Sequence, residues 1–323
     1  PNLTSQAQGP LNLLSDAGQP RSAPATVRLE PRWELRTPLQ TPLARLGMAA
    51  LNNRLYIVGG ENADGETVDT VSVYDLQNNE WNPAAPLPLP LANSAVTAAA
   101  DRIFVAGGSQ TNGGGEPLLA DRLYAYDPQA DQWVEVTALP YPLAGAALAG
   151  DEAALYLIGG WDGRTMHDEI WRYPLAADAA PDEQSSAAGQ DRQVQGKWQL
   201  LGNLSSPRAF LGAATVGGEI YIAGGYDGQR ELDLAEVFTP ATGERRQLPS
   251  LGSPRGGLAL VYDGFSLYAL GGGWTHSLST HERYDTTTNV WSNFPSPIQG
   301  EWRNLAAAAV DGNTNGEWNV GSV

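Results

Sequence analysis

Five times along the chain a short, β-prone apolar run ends in a pair of glycines: LYIVGG to Gly60, IFVAGG to Gly108, LYLIGG to Gly160, IYIAGG to Gly225 and LYALGG to Gly272. The first glycines of the pairs (Gly59, Gly107, Gly159, Gly224, Gly271) are 48, 52, 65 and 47 residues apart, and 50 more reaches Gly321 in EWNVGSV. A unit of this length cannot bury its apolar face alone, so it must stack on copies of itself. The chain therefore divides into six similar units rather than one continuous core.

Each unit has the same internal order. A segment rich in small residues comes first, as in NSAVTAAA, LAGAALAG and RNLAAAAV, and a tight polar turn such as Asn52-Asn53 or Asp263-Gly264 joins it to the apolar run. These are hairpins. After the doublet and a loop comes an aromatic residue followed by an acid or a turn residue: Tyr74-Asp75, Tyr126-Asp127, Tyr173-Pro174, Phe238-Thr239 and Tyr284-Asp285. Trp81, Trp133 and Trp291 then follow Tyr74, Tyr126 and Tyr284 at a constant 7 residues. This combination resembles the kelch repeat of β-propeller proteins, over roughly residues 27 to 323.

The resemblance implies an all-β fold, a six-bladed β-propeller of four-stranded antiparallel blades. Physical reasoning agrees: only Ala and Gly leave room where strands converge on an axis, so the Ala-rich strand is expected innermost and the Trp strand outermost. Each doublet glycine is expected to supply a conformation or a close approach that a β-carbon would block. The last unit has two strands, near 303–310 and 317–323. Residues 27–36, in which Leu29-Glu30-Pro31 and Trp33 stand in for the Tyr-Asp and Trp positions, are expected to complete the sixth blade and close the ring, which removes open sheet edges. Two departures stand out. An insertion at 176–196 lengthens the third blade, between Tyr173 and Trp198, and Arg245 replaces the Trp of the fourth, predicting a less well-packed outer strand there.

Composition excludes several function classes. A formal net charge of -17 opposes nucleic-acid binding, and the lack of Cys excludes disulfides, thiolate metal sites and cysteine nucleophiles. The copper-radical oxidases among kelch proteins need a Cys, so that chemistry is excluded as well. No apolar stretch reaches the roughly 18 residues of a membrane helix. There is no Walker loop, and the one Lys is Lys197. His276 and His281 are too few for a metal site, and Asp311, Asn313 and Asn315 begin a calcium-loop pattern that ends on Ser322 instead of Glu. No metal, cofactor or catalytic residue is expected.

Residues just after each doublet share one face with the leads into each blade, here called the doublet face. Trp161 and Tyr226 directly follow their doublets and Trp274 follows one glycine later, Arg164, Arg230 and His276 come soon after, and Arg45, Arg208, Arg255 and Arg303 lie in the leads. Aromatics beside Arg are typical interface anchors, so these ten residues form the expected partner-binding set. The reading is a non-catalytic protein–protein interaction module, an accessory or scaffold subunit of a larger bacterial, membrane-associated assembly. The alternative is a propeller enzyme acting on a small carbohydrate, similar to sialic-acid epimerases. Residues 1–26 read as a polar arm or linker, and 18 Arg against one Lys fits a bacterial protein encoded by GC-rich DNA. A start on Pro-Asn-Leu suggests an upstream segment, with an anchor and an extracytoplasmic or membrane-associated location.

Overall fold

A computed structural model describes residues 13–14, 20–21, 36–111, 116–175, 198–273, 278, 280–295, 305–310 and 318–321. The chain separates into two units, Pro1–Leu35 and Arg36–Val323. In the first, Leu13–Leu14 pairs antiparallel with Pro20–Arg21.

The second unit is built of four-stranded antiparallel meanders in chain order. The first blade comprises Gly47–Leu51, Arg54–Val58, Val71–Asp75 and Glu80–Ala84; the second, Ala95–Ala99, Arg102–Ala106, Arg122–Asp127 and Gln132–Ala138. The third comprises Ala147–Gly150, Ala154–Ile158, Glu169–Pro174 and Gln199–Asn203; the fourth, Gly212–Val216, Glu219–Ala223, Ala235–Thr239 and Glu244–Gln247. The fifth is Ala259–Tyr262, Ser266–Leu270, Thr280–Asp285 and Val290–Pro295, and Ala306–Ala309 then pairs with Trp318–Gly321. Besides a short pairing of Ser109–Gln110 with Leu118–Leu119 in the second blade's loop, the described residues of this unit thus form five complete blades and the two-stranded sheet of Ala306–Ala309 and Trp318–Gly321, where six blades were expected. Of residues 27–36, to which the missing strands were assigned, all but Arg36 lie outside the described residues, as do 176–197 and the DGNTNG turn. No described helix is long and apolar enough to cross a membrane.

The core lies as slabs between neighbouring blades. Tyr56 and Val58 of the first blade pack on Ile103, Val105 and Tyr126 of the second. Phe104 and Leu123 of the second share a cluster with Leu155, Leu157 and Trp198 of the third. Each innermost strand packs against the next, and Ala306–Ala309 packs against both Ala259–Tyr262 and Gly47–Leu51. The small side chains permit this: a β-carbon on Gly47 would sit 2.1 Å from Val96 Cγ2, and one on Gly212 2.6 Å from Leu260 Cβ.

The Tyr-to-Trp spacing becomes a cross-strand pair. Tyr74 faces Trp81, Tyr126 faces Trp133 and Tyr284 faces Trp291, with ring centroids 4.9, 5.1 and 5.0 Å apart. Asn79, Asp131 and Asn289 take φ of 57, 50 and 59° in the intervening turn, where short polar side chains tolerate the left-handed region, and each accepts the hydroxyl of its Tyr. Tyr173 and Trp198 meet at 5.2 Å despite the insertion between them. Each indole also reaches back toward the preceding unit. Trp133 donates to Ala85 O at 2.9 Å, Trp198 to Ala138 O at 2.9 Å and Trp291 to Pro249 O at 2.9 Å. The fourth blade has no such latch: Arg245 faces Phe238 and turns to Glu236 instead, and Glu244–Gln247 is exposed throughout.

Candidate interaction face

The doublets set the geometry of the doublet face by stitching blades together. Gly59 and Gly60 have φ of 59 and 115°, and the same pattern recurs at Gly107, Gly159 and Gly224 with their partners. The second glycine of each of the first four pairs donates to a carbonyl leading into the next blade: Gly60 to Leu91 O, Gly108 to Leu143 O, Gly160 to Arg208 O and Gly225 to Arg255 O, at 2.7–2.9 Å. A β-carbon on Gly59 would lie 2.2 Å from Leu91 O. The next residue is held by paired bonds to its own blade's lead, Glu61 to Ala44, Trp161 to Ala144 and Tyr226 to Ala209. Trp161 and Tyr226 are therefore fixed in backbone and half-buried in side chain.

A second belt surrounds the axis. Asn93 N donates to Arg45 O, Gly145 N to Asn93 O, Phe210 N to Gly145 O and Gly257 N to Phe210 O, so each blade hands a hydrogen bond to the one before. All five residues adopt positive φ, from 54 to 69°. Glycine is at ease there and asparagine nearly so, but Arg45 and Phe210 hold the same conformation at a cost of roughly 1–3 kcal/mol each. The Phe210 ring occupies space a side chain on Gly145 would need, with Cε1 2.8 Å from the ideal β-carbon.

These residues rim an axial pocket of about 190 Å³, whose walls are Leu, Met, Val, Ala and Gly of the inner strands. That is smaller than the roughly 300–1,000 Å³ of drug-sized ligand sites. Arg45, Asn93 and Ser94 are its polar members, and no carboxylate lines it among the described residues. A base paired with the arginine, as carbohydrate-acid chemistry would require, is not among those groups.

The expected partner-binding residues separate into three groups. Arg164 and Arg230 are exposed on the loops of the third and fourth blades, Arg230 with 81% of its side chain in solvent and 3.8 Å from Asp227. Arg45 pairs with Glu61 at 2.8 Å and remains 36% exposed. Arg208 and Arg255 are a correction: both side chains are 0% exposed, so they stand inside the protein and not on its contact surface. Arg208 binds Glu236, which also receives Arg245 at 3.0 Å and the Ser205 amide. Arg255 binds Glu282 through Nε and Nη2, at 3.2 and 2.6 Å, and donates Nη1 to Gly271 O and Thr280 O, both at 2.8 Å. Burial pushes the Glu236 carboxyl up, but the arginines outweigh it and hold it below the usual carboxylate range. Trp274, His276 and Arg303 lie outside the described residues. His281 is buried and accepts the Gly271 amide through Nδ1 at 3.0 Å; desolvation, helped by Arg255, lowers its pKa to about 4.

Two features carry no local sequence signal. Phe210 looks like a core residue until its φ is known. His167 sits where other blades have Val68, Ala120, Leu232 and Leu278, all donating an amide to the second doublet glycine. Comparing units position by position could have exposed it.

The "KLHDC2/KLHL20/DRC7 Kelch-repeats domain" family model matches residues 30–179, and the "Kelch motif" model matches 207–252 and 254–298. The chain belongs to the kelch-repeat β-propeller family. Among kelch relatives, it is 27% identical to alpha-scruin of Limulus polyphemus over 304 residues, 89% of this chain and 31% of that protein. It is 22% identical to kelch-like protein 25 of Xenopus tropicalis over 282 residues, 83% of this chain and 45% of that protein. This kelch chain thus spans less than half the length of these two curated relatives. The solved structure of YjhT matches with a TM-score of 0.63 at 17% identity, covering 78% of this chain and 84% of that one, which supports the propeller fold.

Proposed function

We propose that this kelch propeller is a protein–protein interaction module, an accessory or scaffold subunit, and that it binds through the doublet face of its third and fourth blades. The observation that carries this reading is where the repeat breaks. At the position after the doublet, the first two blades have Glu61 and Ser109, whereas the third and fourth have Trp161 and Tyr226, with exposed Arg164 and Arg230 beside them. The fourth-blade loop abuts the third, since an ideal β-carbon on Gly228 would lie 3.9 Å from Met166, and the third abuts the second, since one on Gly163 would lie 3.6 Å from Leu119. Aromatic and Arg anchors on a rigid backbone fit recognition of a protein surface, and the axial pocket, lined by no carboxylate among the described residues, does not favour the enzyme alternative. The test is capture of partners by the native protein from its source, identified by mass spectrometry. Trp161→Ala with Tyr226→Ala should remove a stoichiometric partner without changing the melting transition; unchanged capture would refute the assignment of this face.

We also propose that residues 27–36 supply the outer half of a sixth blade. Thr37 supports this, because its contacts repeat those that follow an outer strand. Trp81 donates to Thr37 O at 2.8 Å as Trp133 does to Ala85 O, and Thr37 N donates to Asn79 Oδ1 as Ala85 N does to Asp131 Oδ1. Thr37 also follows Trp33 by the four residues that separate Ala85 from Trp81.

A further inference from the structure

One cluster of titratable groups lies beside the candidate face and has no counterpart at the equivalent positions of the other described blades. His167 closes the loop of the third blade, and Tyr141, from the connection before that blade, stacks on its ring with centroids 4.2 Å apart at 23°. Imidazole Nδ1 lies 3.0 Å from Glu169 Oε2, on the blade's third strand, and the same oxygen accepts the Tyr141 hydroxyl at 3.1 Å. Nε2 stands 3.1 Å from Asp162 Oδ2, an ion-pair distance without the alignment of a hydrogen bond. Asp162 in turn builds the loop: its Oδ1 accepts the amides of Arg164 and Thr165 at 2.8 and 2.7 Å. On the fourth-blade side, the Arg208 amide donates to His167 O, while the Arg208 guanidinium is turned to Glu236.

Both carboxylates stay charged. Burial pushes Asp162 and Glu169 up, but backbone amides and His167 outweigh it and hold both below the usual range. A doubly protonated imidazole satisfies both anions, whereas a neutral one has a single N–H and must present a lone pair to one of them. Since Nδ1 makes the aligned bond, the Asp162 contact is the one lost.

We propose that His167 is a proton-operated pin: doubly protonated, it ties the Asp162–Thr165 turn to the third strand of the third blade, and deprotonated, it frees that turn. The turn carries Arg164 and adjoins Trp161, so the pin would adjust the contact surface; that consequence rests on the interaction reading, whereas the pin itself does not.

The test is a nitrogen-15 NMR titration of the full chain from about pH 5 to about pH 8. The Gly163 amide and the Trp161 indole N–H should shift with the same midpoint as the His167 ring. Both shifts should vanish in His167→Gln. Constant Gly163 and Trp161 signals while the ring titrates, or the same movement in His167→Gln, would overturn the pin. If the titration behaves as expected but Trp161→Ala captures every partner, the interaction reading fails and the pin stands.

Discussion

Replacing Glu282 by alanine is expected to lower the unfolding free energy by about 3–5 kcal/mol, measured by urea denaturation. Glu282 is 1% exposed and is the carboxylate partner of a fully buried Arg255, and it also accepts the Gly252 and Ser253 amides. Removing it leaves a cation inside the blade with only carbonyl oxygens for company, and desolvation then dominates. Changing Arg255 and Glu282 together to leucine and methionine should recover much of the loss. The protein performs that comparison internally, since Leu91 and Leu143 occupy the Arg255 position in the second and third blades and accept the same doublet amide. A loss below about 1 kcal/mol for the single change would show that the pair does not hold the fifth blade in place.

Gly107→Ala should be at least as damaging, about 4 kcal/mol, whereas Gly65→Ala should cost about 1 kcal/mol. Both glycines have positive φ, 61 and 78°, so both substitutions incur the left-handed penalty. The difference is steric. A β-carbon on Gly107 would lie 2.2 Å from Leu143 O, whereas one on Gly65 meets nothing within 4 Å. Because Leu143 O is the acceptor for Gly108 N, relief of the clash must loosen the bond between the second and third blades. Melting temperatures of the two variants side by side separate conformation from contact; equal shifts would mean the close approach does not matter.

The repeat was legible because periodicity, glycine pairs and Tyr–Trp spacing each have one local cause: a left-handed turn, a close backbone approach and a cross-strand ring pair. Arginines were not legible in the same way. Arg45 exposes part of its side chain and Arg208 none, yet both lie in a short segment leading into a blade. Their fates diverge because Arg208 occupies the Leu91 position, facing inward toward Glu236, whereas Arg45 is two residues further on, at the axial belt where Asn93 sits. The His167 cluster was hidden because Tyr141 reaches it across the seam between blades and not along the strand. The weaker outer packing expected of the fourth blade did follow from one residue, Arg245, since an indole both fills space and latches the preceding unit.

The most direct test of the six-bladed reading is hydrogen exchange at Trp318–Gly321. That strand pairs with Ala306–Ala309 on one side, so alternate amides point the other way. If residues 27–36 complete the blade, all the amides of Trp318–Gly321 exchange far more slowly than in a free peptide. If the outward-pointing amides exchange at free-peptide rates while their neighbours stay protected, the last sheet has two strands and the ring is not closed by its N-terminal segment.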